Sequence, residues 1–117
     1  MAPDSQKWKE YRIRAHQQRK LWLAHHRSKG LKVAQSVADF LKREYGVTRV
    51  MLFGSMVLGN IREESDIDLA VWGLPQRQYF KAWAAVNDIR RDFPVDLIDI
   101  NDASEILLEH IENGWEL

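Results

Sequence analysis

The sequence predicts a small α/β (α+β) domain in which a mixed β-sheet is covered by helices. Three short apolar segments predict strands, and the stretches around them have the composition and periodicity of helices. Strands that alternate with helices are typical of a sheet with helices packed on it. With 117 residues, the chain has room for one domain with its own core.

Two helices are predicted before the first strand. Residues 5–28 are rich in good helix formers, and four side chains spaced three, four and seven residues apart lie on one stripe of that helix. Gly30 is expected to end it, and a second helix should follow because apolar residues recur at helical spacing in residues 33–41. Gly46 is the expected C-terminal cap of the second helix. The stripe of the first helix contains Trp8, Tyr11, Ala15 and Trp22.

The rest of the chain predicts three strands and three helical segments. The first strand, residues 47–53, is almost all apolar, whereas residues 66–72 and 95–100 alternate aspartate with aliphatic residues. The helical segments, bounded by Gly or Pro, are residues 56–60, 76–91 and 103–113. In the second of these, the side chains expected to face the core are Phe80, Trp83, Ala84 and Asn87.

Composition argues against several classes of protein. The chain has no cysteine, so it can form neither a disulfide framework nor a thiolate metal site, which fits a reducing cytoplasm. The N-terminus lacks the pattern of a secretory signal, and no apolar run approaches the roughly 18 residues of a membrane span. A cytoplasmic protein without a membrane anchor is therefore expected.

The net charge of zero hides a strong asymmetry. Residues 1–30 carry eight Lys and Arg against two acidic residues, whereas residues 31–117 carry nine basic and fifteen acidic residues. A basic arm on an acidic body could contact nucleic acid or an acidic partner. The simpler interpretation is a solvated helix face, or an arm folded against its own acidic body.

Aspartates recur in the second and third predicted strands. Because successive side chains of a strand point to opposite faces, Asp66 and Asp68 share one face and the aliphatic residues between them face the core. If the third strand lies beside the second, Asp96 joins them. Three carboxylates without His or Cys form a hard-oxygen site that suits Mg²⁺ or Mn²⁺. The pair alone could equally be the solvated face of an edge strand, as Asp99 and Asp102 are explained by a strand end and a helix N-cap.

A glycine and a serine end the first strand. Gly54 lets the backbone approach a ligand closely, and the N–H groups that follow it can bind an anion together with the Ser55 hydroxyl. Such a turn suits the β- and γ-phosphates of a nucleotide. Ser55 could also be an ordinary helix N-cap that binds no ligand.

The two features occur in the order of a known signature. The run G-S-M-V-L-G-N-I-R-E-E-S-D-I-D-L-A-V begins at Gly54, and the third carboxylate, Asp96, follows about thirty residues after Asp66. This run resembles the G-S-x₃-G…S-D-x-D signature of the DNA polymerase β-like nucleotidyltransferase superfamily. It is most similar to the minimal nucleotidyltransferases, small proteins often paired with helical HEPN-type partners. The resemblance covers residues 31–117, including the ending at residues 111–114.

The resemblance implies a nucleotidyltransferase domain at residues 31–117, and the basic helical segment at residues 1–30 would then be an N-terminal extension of it. Gly54 and Ser55 would then hold the triphosphate. Asp66 and Asp68 would bind two Mg²⁺ ions, and Asp96 would bind the catalytic metal and help to deprotonate an acceptor hydroxyl. The implied reaction transfers a nucleoside monophosphate, AMP from ATP, to a partner protein, as in a HEPN/MNT toxin–antitoxin pair.

Two departures from the family pattern keep other functions open. Residues 56–58 are Met-Val-Leu where many relatives have a basic residue or alanine, so no cation there can help to hold the γ-phosphate, although Arg62, or Arg77 and Lys81, could substitute. The basic N-terminal helix is not required by the motif and could be a packing helix or a dimer contact. The alternative function is a non-enzymatic module that masks a helical partner. Binding of nucleic acid through the basic arm is a weaker alternative.

Overall fold

The computed structural model describes residues 5–89 and 92–117, and these form a four-stranded mixed sheet with helices on both of its faces. The predicted fold class is confirmed. The helices are α1 (Ser5–Tyr45), α2 (Ser55–Leu58), α3 (Tyr79–Ile89) and α4 (Glu105–Glu112), and the strands are β1 (Arg49–Phe53), β2 (Ile67–Trp72), β3 (Val95–Asp99) and β4 (Trp115–Glu116). Two short 3-10 helices, Gln76–Gln78 and Ile100–Asp102, precede α3 and α4.

The strand order of the sheet is β3-β2-β1-β4. Strand β2 pairs with β1 in antiparallel orientation and with β3 in parallel orientation. A parallel pair needs a crossover connection, which α3 supplies here between β2 and β3. The main core lies between the sheet and the helices α1 and α3. Its fully buried side chains include Leu41, Val50, Leu52, Ile67, Leu69, Val71, Ala82, Val86 and Leu97.

The predicted break at Gly30 is wrong, because α1 is a single helix of 41 residues. Gly30 is buried, and a Cβ atom there would lie 2.7 Å from Cε of Met56 and 3.1 Å from a ring carbon of Phe93. The glycine therefore lets α1 approach the core closely instead of ending the helix. The predicted end is confirmed, since α1 stops at Tyr45 and Gly46 has a φ of +66°.

The N-terminal part of α1 projects from the domain. Every residue from Ser5 to Trp22 is exposed, and the molecule measures 68 × 30 × 20 Å. The arm therefore does not fold back over the acidic body, although Arg19 forms an exposed ion pair with Glu63 at 3.0 Å. Within the described ranges, no helix combines the length and the apolar character needed to cross a membrane.

The predicted inner face of α3 is largely wrong. Phe80 is 79% exposed and Trp83 is 45% exposed, and Ala84 is exposed as well. The buried side chains are the smaller Ala82 and Val86, which allow the helix to lie close to the sheet. Asn87 does face the sheet and makes two hydrogen bonds to the backbone of Val95, at 2.9 and 3.0 Å. The predicted end of this helix at Arg91 lies outside the described residues.

Strand β4 was not predicted. Its two residues pair with β1, where Trp115 lies opposite Leu52 and Glu116 opposite Met51. Gly114 makes this pairing possible, because a Cβ atom there would lie 2.3 Å from the backbone oxygen of Leu52. The end of the chain is thus held against the strand that leads into the glycine-serine turn.

Candidate functional site

The sheet places two of the predicted aspartates side by side. Asp68 of β2 and Asp96 of β3 are register partners on neighbouring parallel strands. Ile67 and Leu69 are fully buried in the main core, so Asp68 between them points to the opposite face of the sheet. Asp66 is exposed and directly precedes β2. The structure therefore collects the three sequence-predicted carboxylates at one end of two adjacent strands.

The glycine-serine turn connects β1 to α2. Gly54 has φ +77° and ψ −150°, a backbone conformation that is essentially restricted to glycine. Its carbonyl oxygen accepts hydrogen bonds from the N–H groups of Val57 and Leu58, at 3.1 and 3.0 Å. Gly54 is therefore the N-cap of α2, and Ser55 is the first residue of the helix. The alternative that Ser55 itself is the N-cap is wrong.

The turn and the carboxylates are in direct contact. Phe53 is the register partner of Asp68, which brings the end of β1 next to the middle of the site. A Cβ atom on Gly54 would lie only 2.3 Å from Oδ2 of Asp68. The Asp68 carboxylate thus occupies the space that a side chain at residue 54 would need. The turn and the aspartates therefore form one site.

Negative charge accumulates at this site. Asp68 is half-buried, and its pKa is raised to about 6 by burial and then by the charges of Asp96 and Asp66. The pKa of Tyr79 is also raised, by burial and by three carboxylates of which Asp96 contributes most. Its hydroxyl donates a hydrogen bond to the backbone oxygen of Leu97. Sequence reasoning missed Tyr79, because nothing in its local pattern places it beside β3.

The donor chemistry of the site fits a hard divalent cation. All three side chains offer carboxylate oxygens only, and a cation between them would remove the repulsion that raises the pKa of Asp68. In residues 5–89 and 92–117, however, no group of three or more His, Cys, Asp or Glu side chains is arranged to hold a metal ion as it stands. A metal would therefore have to draw Asp66, Asp68 and Asp96 closer together.

Neighbouring residues explain two further features of the sequence. Met56 is completely buried beneath Gly30 of α1, so the apolar residue at this position belongs to the core. Asp99 is buried and caps the 3-10 helix Ile100–Asp102, and its Oδ1 accepts a hydrogen bond from the N–H of Asn101 at 3.0 Å. Asp102 caps no helix, because Ser104 is the N-cap of α4. Asp99 is accordingly explained by a structural role, as predicted.

Replacing Asp68 should stabilise the metal-free protein at neutral pH. The pKa of Asp68 in the folded state, about 6, is higher than its ordinary value of 3.8. Its contribution to the free energy of unfolding is therefore fully present only below pH 3.8 and is lost as the pH rises through 6, so that at neutral pH the ionised carboxylate favours the unfolded state. We expect Asp68→Asn to raise the melting temperature by a few degrees at pH 7.5 in EDTA, with a much smaller difference at pH 4.5. The change is limited because solvent screens a half-buried group.

The matched control for this melting experiment is Glu109→Gln, which removes one carboxylate from an exposed position on α4. The control should leave the melting temperature nearly unchanged at both pH values. An Asp68→Asn protein that melts at or below the wild-type temperature at pH 7.5 would show that the carboxylates do not repel each other as described.

Comparisons with known proteins find one matching family and several solved structures with a similar fold. The model of the family described as Polymerase beta, Nucleotidyltransferase matches residues 35–117. A solved structure of a candidate minimal nucleotidyltransferase is 25% identical, with 81% of this chain and 95% of the other covered and a TM-score of 0.59. A chain from the crystal structure of a toxin–antitoxin with AMP-PNP is 26% identical over 69% of each chain, with a TM-score of 0.56.

Another similar chain shows the fold alone. It comes from the complex of a tri-AMPylated Shewanella oneidensis HEPN toxin with an MNT antitoxin and is 22% identical, with 74% of this chain and 70% of the other covered and a TM-score of 0.53. No curated protein matches the sequence.

The family match includes the whole site. Residues 35–117 contain the Gly54-Ser55 turn, all three aspartates and every strand of the sheet. The solved structures show that the chain also shares its fold with nucleotidyltransferase-type proteins. The chain therefore belongs to the polymerase β nucleotidyltransferase family.

Proposed function

We propose that this chain is a Mg²⁺-dependent nucleotidyltransferase that transfers AMP from ATP to a hydroxyl group of a helical partner protein. The observation that carries the proposal is the contact between the turn and the carboxylates, because Gly54 leaves room for Asp68 and Asp68 lies beside Asp96. Phosphoryl transfer depends on positioning and on charge stabilisation, and this arrangement can provide both.

Each residue of the site has a role in the proposed reaction. Gly54 and Ser55 bind the triphosphate through backbone N–H groups and the serine hydroxyl. Asp66 and Asp68 would hold two Mg²⁺ ions, which Mn²⁺ could replace, and Asp96 would hold the one that acts on the acceptor hydroxyl. When bound, the ions supply the charge that lowers the pKa of the acceptor hydroxyl and neutralises the pyrophosphate leaving group.

The acceptor is proposed to be a HEPN-type toxin, which would make this chain an antitoxin. Two of the similar structures are toxin–antitoxin assemblies, one of them with a tri-AMPylated HEPN toxin. The projecting arm of α1 exposes Trp8, Tyr11 and Trp22, which are 56%, 64% and 46% accessible. Large aromatic side chains left open in this way are typical of a protein interface. A homo-oligomer through the same surface, and a cytoplasmic location, stay predictions.

Incubation with the co-purified helical partner should test the reaction directly. With Mg²⁺ and labelled ATP, the label is expected to move to the partner, and EDTA should prevent the transfer. The four labelled nucleoside triphosphates would be tried in parallel, and ATP is the one expected to label the partner. The absence of label on the partner with all four nucleotides would overturn the proposal.

A non-enzymatic module that masks its partner is the second candidate. The exposed aromatic residues of the arm favour it, since they could bind a partner without any chemistry at the carboxylates. A double variant, Asp66→Asn with Asp68→Asn, separates the two functions. If masking is the whole function, the double variant neutralises the partner as well as the wild type does. If it binds the partner but no longer neutralises it, masking alone is excluded.

A further inference from the structure

One arginine of the long helix reaches the far end of the helix that follows the turn. Nε of Arg27 donates a hydrogen bond to the backbone oxygen of Met56 at 2.8 Å, and Nη2 donates to that of Val57 at 3.3 Å. The last carbonyl groups of a helix have no partner within the helix, and a cation there also complements the helix dipole. Arg27 therefore caps the C-terminal end of α2 from a different element.

The guanidinium group of Arg27 is itself held in place. Its central carbon lies 5.5 Å from the ring centroid of Trp115 in β4, within the range of a cation–π contact. Trp115 is the register partner of Leu52 in β1, the strand that runs into the glycine-serine turn. Arg27 thus links the element before the turn to the element after it.

A second contact from α1 lies close to the first. Met56 of α2 is completely buried, and its thioether fills the space left by the missing side chain of Gly30. Residues 27 and 30 are three apart, so both face the same side of α1. Helix α2 is accordingly fixed to α1 by a buried apolar contact and by two hydrogen bonds to its carbonyl groups.

Helix α2 needs such external support. It consists of the four residues Ser55–Leu58, and a single helical turn has little stability of its own. Its first residue, Ser55, directly follows Gly54, which lies against Asp68. Any shift of α2 would move the backbone N–H groups of the turn relative to the carboxylates.

We propose that Arg27 is a positioning residue for the triphosphate: by holding the carbonyl groups of α2, it fixes the Gly54-Ser55 turn relative to Asp68. This role rests on the proposed function and gives the N-terminal helix a part in nucleotide binding that the family motif does not contain. Arg27 is not proposed to touch substrate or metal. It acts through α2.

Two substitutions on the same helix test the proposal. Arg27→Ala removes the cap, and Arg19→Ala is the matched control, because Arg19 forms an exposed ion pair with Glu63 in the loop after α2. The first measurement is amide hydrogen exchange in the nucleotide-free protein. Arg27→Ala should speed exchange about tenfold at the N–H groups of Val57, Leu58 and Gly59, whose hydrogen bonds hold α2 together, and Arg19→Ala should not.

The second measurement is the Kd of a non-hydrolysable ATP analogue in the presence of Mg²⁺. Arg27→Ala should weaken binding about tenfold, since a displaced turn loses hydrogen bonds to the phosphates, and Arg27→Lys should recover part of the loss by restoring the charge without the two-pronged geometry. If Arg27→Ala does not fold, Arg27→Lys carries the test and should weaken binding several-fold.

The outcomes separate this proposal from the proposed function. Faster amide exchange in α2 with an unchanged Kd would show that Arg27 only stabilises the fold. Equal Kd values for the Arg27→Ala and Arg19→Ala variants would overturn the positioning role of Arg27 and leave the proposed transferase function standing. A wild-type protein that binds no nucleotide with Mg²⁺ would overturn the proposed function itself, and the role of Arg27 with it.

Discussion

Asp68→Asn is expected to reduce nucleotide transfer by about 1000-fold or more while the protein stays folded. Asp68 is the side chain that touches both halves of the site, since it lies against Gly54 and beside Asp96. The charge that a bound metal supplies to phosphoryl transfer is worth several kcal/mol, and each 1.36 kcal/mol corresponds to a factor of ten in rate. The asparagine side chain has the same shape as aspartate but lacks the negative charge, so it should no longer hold the metal.

The measurement is the single-turnover rate of partner labelling at saturating Mg²⁺ and ATP. Glu109→Gln again serves as the control and should retain the wild-type rate, because it changes the net charge equally at an exposed position on α4. The higher melting temperature expected of Asp68→Asn ensures that a loss of rate is not a loss of fold. A transfer rate of Asp68→Asn within tenfold of the wild-type rate would show that Asp68 is not a metal ligand.

Gly54→Ala is expected to reduce transfer by roughly 100-fold and to destabilise the protein. The backbone conformation of Gly54 is costly for any other residue, by about 1–3 kcal/mol. In addition, the new Cβ atom would lie 2.3 Å from Oδ2 of Asp68, so that the carboxylate or the turn must move. A misplacement of about 1 Å in an active site can cost a factor of about 100 in rate.

Gly46→Ala separates the two effects of the Gly54 substitution. Gly46 also has a positive φ, +66°, but it follows the end of α1, and among the described residues other than its chain neighbours no atom lies within 4 Å of the position that its Cβ would take. This control should lose stability yet keep most of its transfer rate. Combining Gly54→Ala with Asp68→Ala should lower the stability cost of the first change, because the clashing carboxylate is gone. Equal losses of transfer in the Gly54 and Gly46 variants would show that the loss comes from backbone strain and not from the contact with Asp68.

Local patterns were sufficient to predict the centre of the fold. Alternation in residues 66–72 identified Ile67 and Leu69 as core residues and placed Asp68 on the other face, and the structure confirms this because the period of a strand is fixed by its geometry. The order of strands and helices predicted the mixed sheet. The roles of the aspartates and of Gly54 and Ser55 stay predictions.

Features that depend on distant contacts could not be predicted. Gly30 carries the local signal of a helix end, yet packing against Met56 and Phe93 keeps it helical. For α3, the large aromatic Phe80 led to a wrong prediction of the buried face, because the close approach of helix and sheet requires a small residue on that face. Arg27 has no sequence signal at all, since its partners are backbone oxygens that any residue would provide.

A crystal structure with Mn²⁺ and a non-hydrolysable ATP analogue would show directly whether the glycine-serine turn and the three aspartates form one nucleotide–metal site. We expect anomalous manganese peaks between Asp66, Asp68 and Asp96, and a triphosphate bound to the backbone of Gly54 and Ser55. Manganese bound away from these carboxylates, or a triphosphate bound along the basic arm of α1, would contradict this expectation.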